Sequence, residues 1–466
     1  MKVLFILQSA LHVRNFISSG FSKELMDAAD VTFVIPKRYA HVLADDVHKK
    51  SAQIKYIEDY VPNKLRAKWL ELARAASVIQ RRHLNNTYGN KVKAYMQVKT
   101  YRLSTNPMRV SKLLRNICLR LLGAILDLES IMIAIDRHLK AHSNASKLVG
   151  DIAPDVVFSA TVIHETGDYE IAKAAKEQGK RLINFVASWD NLTSKGFFLV
   201  RPDTLLVWGD KDKTYAMTQH GFKENQIVVT GTPQFDQYFD KVIPLSRDKF
   251  LKARGIDIDK NIVMFAGTTF SKYANEPRAL KEISRVFLNR GLDNVLFWYR
   301  PHPRSMQALN SEYFKDCPNI YLDDQIVSAQ GSSDIRGFEV AIGDLTHYLN
   351  LINACEGAIS IFSTMVVEFA LLKKPSILIN FQVDSDGKDI MESSSSHAAN
   401  EHLKPLYGWN GITVANSLKD LADCIENKLL RDNSDYGDEL QRNASEIACN
   451  IDGKAKDRIL KALLVE

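Results

Sequence analysis

An α/β protein of two doubly wound, Rossmann-like domains facing a cleft is the fold class this sequence predicts, on three observations. Short runs that are apolar throughout, such as KVLFIL (2–7), DVVFSA (155–160) and NIVMFAG (261–267), alternate with amphipathic helical stretches. That alternation marks parallel strands covered by helices on both faces. The series runs twice, interrupted around TGTPQFDQYFDKVIPLSRDKF, where Gly231, Pro233 and Pro244 break both periodicities. At 466 residues the chain also exceeds what one core ordinarily holds.

The first series begins with KVLFIL, the helical SSGFSKELMDAA and the strand VTFVI (31–35). A long helical insert then occupies about 60–148. After it come DVVFSA, a helix through DYEIAKAAKEQG, and the strands LINFVAS (182–188), TLLVWG (204–209) and QIVVTG (226–231). The second series opens at NIVMFAG and continues through the helix EPRALKEISRVFLNRG, the strands NVLFWYR and NIYLD, and the helix DLTHYLNLINAC. It closes with the strand GAISIF, the helix STMVVEFALLKK and the strand PSILIN. The expected division is an acceptor-binding domain over 1–238, a nucleotide-donor domain over 239–450, and an amphipathic tail, 451–466, packing back as a helix.

Composition narrows the class. With 45% hydrophobic and 25% charged residues, the chain reads as globular and soluble. Its five cysteines are scattered without a CxxC pair or a histidine cluster, which points to a reducing cytoplasm and to no structural zinc. The opening MKVLFILQSALHVRNF has too short an apolar core for a signal peptide and reads as a first buried strand. The longest apolar stretch, CLRLLGAILDLESIMIAI (118–135), is broken by Arg120, Asp127 and Glu129, so no membrane-spanning helix is expected.

Charge is unevenly spread. From Lys64 to Arg120 there are fourteen Lys and Arg against a single acid, Glu71, a local charge of +13 that leaves −7 on the rest of a chain of net +6. A basic helical insert in an otherwise acidic protein predicts an anionic partner, and a membrane surface at the inner face of the cytoplasmic membrane is the expected one. The alternative is a solvated basic face with no partner. Nucleic acid is not expected, because the segment carries no recognition motif and few interleaved aromatics.

Open parallel sheets bind ligands beyond the carboxyl ends of their strands. In the second series those ends are AGTTFSK (266–272), YRPHPRS (299–305) and FSTMVVE (362–368). Gly267, Thr268 and Thr269 offer hydroxyls and backbone amides to a phosphate, and Arg300 and His302 offer charge between stiffening prolines. Ser363 and Thr364 stand at the start of a helix whose positive dipole end faces the same crevice. A cap for Ser363 and a structural histidine at 302 are the plain alternatives. Neither GxGxxG after a strand nor GxxxxGK[ST] is present, so dinucleotide and P-loop readings lack their fingerprints.

RPHP after a strand, followed by SIFSTMVVEFALLKKPSILIN, resembles the His-Pro and Ser/Thr motifs of CDP-glycerol glycerophosphotransferases and of bacterial capsule and polysialic acid transferases. The segment VVTGTPQFD resembles the Gly-x-Pro linker of GT-B glycosyltransferases and the related UDP-sugar 2-epimerases. The resemblance implies a GT-B fold and donor phosphates bound by His302, Ser363 and Thr364, with Glu368 near a donor ribose or sugar hydroxyl. It also implies no cofactor and no essential metal, the leaving diphosphate being met by helix dipoles and by Arg300, Lys272 and Arg304.

The catalytic base is expected from the first domain, where His12, His164 with Glu165, and Asp190 follow strands. The plain alternatives are a packing role for His12 and a turn for SWDN. The function expected is transfer of a sugar from a nucleotide-sugar donor to a hydroxyl of a surface polysaccharide or lipid-linked glycan. A CDP-glycerol-type glycerophosphotransferase is the alternative, followed by an epimerase and a non-enzymatic nucleotide-binding protein.

Overall fold

The computed structural model describes residues 1–8, 12, 14–37, 53–58, 62–96, 107–160, 166–239, 245–268, 275–302, 311–325, 345–361, 363–384, 386–390, 400–431 and 435–465. Two all-parallel sheets dominate. The first holds β1 (Lys2–Ile6), β2 (Asp30–Pro36), β3 (Gln53–Ile57), β4 (Val156–Ser159), β5 (Arg181–Phe185), β6 (Thr204–Val207) and β7 (Ile227–Val229). Their spatial order is β3-β2-β1-β4-β5-β6-β7. The second holds β8 (Asn261–Ala266), β9 (Val295–Arg300), β10 (Ile320–Leu322), β11 (Gly357–Ser360) and β12 (Ser376–Ile379). A two-stranded hairpin, β13 (Gln382–Val383) and β14 (Asp389–Ile390), stands apart, and β15 (Ile412–Ala415) completes the second sheet in the order β10-β9-β8-β11-β12-β15.

Each sheet therefore reverses its winding once, between β1 and β4 and between β8 and β11, and in doubly wound sheets that reversal opens the ligand crevice. The apolar strands are buried as their sequences require. Phe5 on β1 stacks on Phe158 at 4.3 Å and meets Phe16 edge-on at 5.2 Å, so the helical turn Arg14–Ser18 is fastened to the centre of the first sheet. Two sheet strands escape sequence reading. QIKYI is an edge strand without a continuous apolar run, and ITVA is only four residues long, pairing in register with β12 from Ser376↔Ile412 to Ile379↔Ala415.

The basic insert folds as the helices Lys64–Gln80, Asn86–Met96, Pro107–Leu122 and Leu128–His138. Part of its charge is met by Glu170 of the helix Thr166–Glu177 and, within the insert, by Glu129 and Glu71. Arg66 pairs with Glu170 at 2.7 Å, and buried Asp136 accepts from Trp69 Nε1 (2.9 Å) and Lys173 Nζ (2.8 Å). Arg81 is 1% exposed, pairs with Glu129 at 2.7 Å and donates to the Gln219 carbonyl at 2.6 Å. Removing one partner of such a buried pair leaves the other charge uncompensated. Lys112 and Arg115 share Glu71.

The chain passes between the two sheets twice. After β7 it runs through Pro233–Asp236 toward β8, and after β15 the helices Gly437–Ala448 and Ala455–Leu464 return to the first sheet. Buried Asp236 accepts from the Ala455 and Lys456 amides at 2.9 Å each, satisfying the first turn of the last helix, and Arg181 Nη2 reaches the Ala462 carbonyl at 3.2 Å. Gly209, with ordinary extended φ of −149°, is glycine for want of room: a Cβ there would stand 2.6 Å from the Ile447 carbonyl oxygen.

Candidate active site

The ends of β8, β9 and β11 meet at the crevice of the second sheet. Gly267 and Thr268 follow β8, Pro301 and His302 follow β9, and Ser363 opens the helix Thr364–Leu371 after β11. His302 is partly exposed there. Ser363 Oγ accepts from the Met365 amide at 3.4 Å, so the capping role is realised. From the first sheet, the loop after β5 crosses to this point. The Trp189 indole N–H donates to Thr364 Oγ1 at 3.3 Å, and its ring lies edge-on to His402 with centroids 5.2 Å apart. Thr193 Oγ1 and His402 Nδ1 are hydrogen-bonded at 3.3 Å. Thus the start of one predicted phosphate-binding helix already faces an aromatic side chain of the other domain.

Beneath the crevice lies a carboxyl that sequence reasoning missed. Glu276, 2% exposed, accepts from the Thr268 amide (2.6 Å) and from Tyr299 Oη (2.8 Å), tying the β8 loop to β9. Burial pushes its carboxyl up to about 7 against the two hydrogen bonds that favour ionisation. Nothing in NEPRAL separates it from an ordinary first-turn acid. Since the folded-state value lies above the unfolded one, the folded protein holds more protons between about pH 4.5 and 7, and stability falls as pH rises through that window. The loss amounts to about 3 kcal/mol at 1.36 kcal/mol per unit. Glu276→Gln keeps an acceptor for the Thr268 amide and does not titrate. Chemical denaturation at pH 5 and pH 8 is expected to show the drop in the parent and not in the variant; parallel curves would refute the assignment.

Four predicted site residues take other roles. Arg300 ends β9, and strand alternation sends it to the face opposite Tyr299. There it pairs with Asp323 (2.8 Å), donates to Gln325 Oε1 (2.8 Å) and lies over the Tyr348 ring, so its charge is not offered to the crevice. The Thr268 amide, expected to meet a phosphate, is turned onto Glu276. Glu368 accepts from Tyr238 Oη in the linker, bracing the domains instead of awaiting a sugar hydroxyl. Asp190 accepts from Ser188 Oγ (2.6 Å) and Ser194 Oγ (2.8 Å). Burial alone would raise its carboxyl, but His402, Lys195 and those hydroxyls bring it down to about 2, too acidic to take a proton from a hydroxyl. His12 is buried, 2% exposed, in the loop leaving β1 at the crevice of the first sheet. Thr269, Lys272, Arg304, His164 and Glu165 lie outside the described residues.

Among the described residues, one group has metal-ligand spacing: Asp323, Asp324 and His347. Its charges are already met by Arg300 on Asp323 and by Arg254, which contacts Asp324 (3.0 Å) and His347 Nδ1 (3.2 Å). Arg300 and His347 overcome the effect of burial and hold the Asp323 carboxyl well below the usual range. This is a half-buried ion-pair cluster whose carboxylates already face Arg300 and Arg254.

A family model described as CDP-glycerol:poly(glycerophosphate) glycerophosphotransferase matches residues 199–465, which include the whole second sheet with Gly267, His302 and Ser363 but not Trp189 or Thr193. The chain belongs to this family. As a member of the glycerophosphotransferase family it is a transferase, and its two parallel sheets have the GT-B-like fold expected from the RPHP and SIFST segments. Solved structures show the same fold. UDP-GlcNAc 2-epimerase from Methanocaldococcus jannaschii is 12% identical at a TM-score of 0.54, with 99% of each chain covered. The Neisseria meningitidis UDP-GlcNAc 2-epimerase, solved with UDP-GlcNAc bound, is 12% identical at 0.52 over 100% of each chain. The glycotransferase of kitacinnamycin is 10% identical at 0.51 over 99% of each. No curated protein sequence matches this family member.

Proposed function

We propose that this protein transfers a sugar from a nucleotide-sugar donor to a hydroxyl of a growing surface polysaccharide or lipid-linked glycan. The observation that carries the reading is the contact of the buried Trp189 indole with Thr364 and His402, which brings the loop after β5 of the first sheet to the amino end of the expected phosphate-binding helix. In this reading the donor diphosphate lies at His302 and at the amino end of Thr364–Leu371, where the helix dipole favours negative charge. The acceptor oxygen attacks the anomeric carbon, the bond from that carbon to the phosphate oxygen breaks, and the nucleoside diphosphate leaves with the electron pair. His12 takes the acceptor's proton, Asp190 being too acidic for that step. No metal is required, and no other cofactor takes part.

The acceptor enters past a polar recess of about 300 Å³ lined by Arg82, His83, Asn85, Asn86, Glu401 and Lys404, which adjoins His402. The protein works at the inner face of the cytoplasmic membrane, for capsule or lipopolysaccharide assembly. No described helix is long and apolar enough to cross a bilayer.

The family match favours a second reading, in which the acceptor attacks the phosphorus of CDP-glycerol and CMP departs. The same crevice serves both. A thermal-shift panel of UDP-, GDP- and CMP-sugars against CDP-glycerol, with and without EDTA, separates them, because a ligand of the native state raises Tm by mass action. Stabilisation by a nucleotide sugar that survives EDTA is expected. A response to CDP-glycerol alone moves the assignment to the second reading, and a response that EDTA abolishes refutes metal independence.

A further inference from the structure

Fifteen large apolar side chains are exposed among the described residues, and eight of them fall between Leu114 and Ile135. On the helix Pro107–Leu122, Leu114, Ile117 and Leu121 recur at i, i+3 and i+7, one face, with exposed Cys118 between them. The opposite face, through buried Asn116 and Leu119, packs on Lys64–Gln80. Leu122 ends that helix, the turn that follows adds Ile125 and Leu126, and the next helix adds Ile131 and Ile135 one turn apart. Ile125, 85% exposed, is the most exposed large apolar side chain described. Contiguous apolar surface of this kind is uncommon on a soluble monomer and marks a contact.

We propose that this elbow inserts its apolar ridge into the headgroup region of a bilayer carrying anionic lipid, the partner of the surface being the membrane itself. The inference rests on the peripheral placement proposed above and relocates its cause. Arg81 and Lys91, the obvious basic candidates, are committed inside the protein, Arg81 to Glu129 and Lys91 to the Ser194 carbonyl. Exposed Arg120 lies within the ridge sequence, while exposed Arg137 and Lys140 lie at the far end of the second helix. Apolar anchors flanked by cations match the acyl–headgroup boundary of an anionic leaflet. A second copy of the chain would bring those cations against their own kind, which disfavours a homotypic contact. Asn86 of the polar recess opens the helix Asn86–Met96, which packs against Pro107–Leu122, so the recess and the ridge are carried by neighbouring elements.

The test uses the full chain and vesicles of phosphatidylcholine with and without phosphatidylglycerol. Leu121→Glu and Ile125→Glu change only exposed positions, so folding is not at stake, and the donor-induced Tm shift serves as a control for the transferase site. Binding to the anionic vesicles is expected to fall about tenfold or more in the double variant, the loss typical of removing apolar burial at an interface. An environment-sensitive fluorophore on Cys118 is expected to shift blue with anionic vesicles only. Unchanged binding by the double variant overturns the ridge assignment while sparing the peripheral placement. Absence of vesicle binding by the parent overturns both and leaves the donor site standing. Self-association abolished by Ile125→Glu, without vesicle binding, overturns the proposal in favour of a dimer interface.

Discussion

Replacing His302 with alanine is expected to abolish nucleotide-dependent thermal stabilisation and to slow transfer by about 10²- to 10³-fold, the usual effect of removing one group that stabilises developing charge. The imidazole follows Pro301 at the end of β9 and is partly exposed, while Arg300, the neighbouring cation, is consumed by Asp323. In the proposed donor site, the groups left to meet a phosphate are then Ser363, Thr364 and the dipole of one short helix, which hold a charge more weakly. His12→Ala separates binding from chemistry, since its donor shift is expected to stay while the rate falls. Single-turnover rates measured beside the thermal shifts decide the matter. A His302→Ala protein that still responds to nucleotide removes the donor from this crevice.

Gly267→Ala is expected to be the most damaging single methyl in the crevice. A Cβ at this position would stand 2.7 Å from Pro301 Cα and 2.9 Å from the His302 nitrogen, and closer still to Glu276 Oε1. Two of those neighbours are backbone and the third is a buried carboxyl held by two hydrogen bonds, so none yields cheaply. Overpacking of this sort costs about 1–3 kcal/mol, and here the strain falls on the loop that presents His302. Stability by denaturant titration and donor affinity are expected to fall together. Loss of stability with intact affinity would show that the β8 loop does not position the histidine.

The fold was legible because its information is local and repeated. Each central strand announces itself as an apolar run between turn residues, and burial on both faces demands that pattern. QIKYI and ITVA were missed where the pattern fades, one at a sheet edge and one four residues long. The site was less legible for a different reason. Motif reading finds residues that follow strands, but a strand's last side chain still obeys the two-residue alternation, and that alone removed Arg300 from the crevice. Glu368 and Thr268 found partners, Tyr238 and Glu276, that stand far away in sequence or are indistinguishable from surface acids. His402 lies in an irregular 3₁₀ stretch with no periodicity to read, yet it touches both Trp189 and Thr193. The basic insert was visible as charge, and only the fold shows how much of that charge Glu170, Glu129 and Glu71 absorb.

The double passage of the chain between the sheets has a mechanical consequence. A single linker would let two bodies swivel in any direction. Two crossings, one through Pro233–Asp236 and one through the returning helices, meet where Asp236 binds the Ala455 and Lys456 amides. Two crossings fastened to each other at that junction leave the sheets less freedom to swivel than a single linker would.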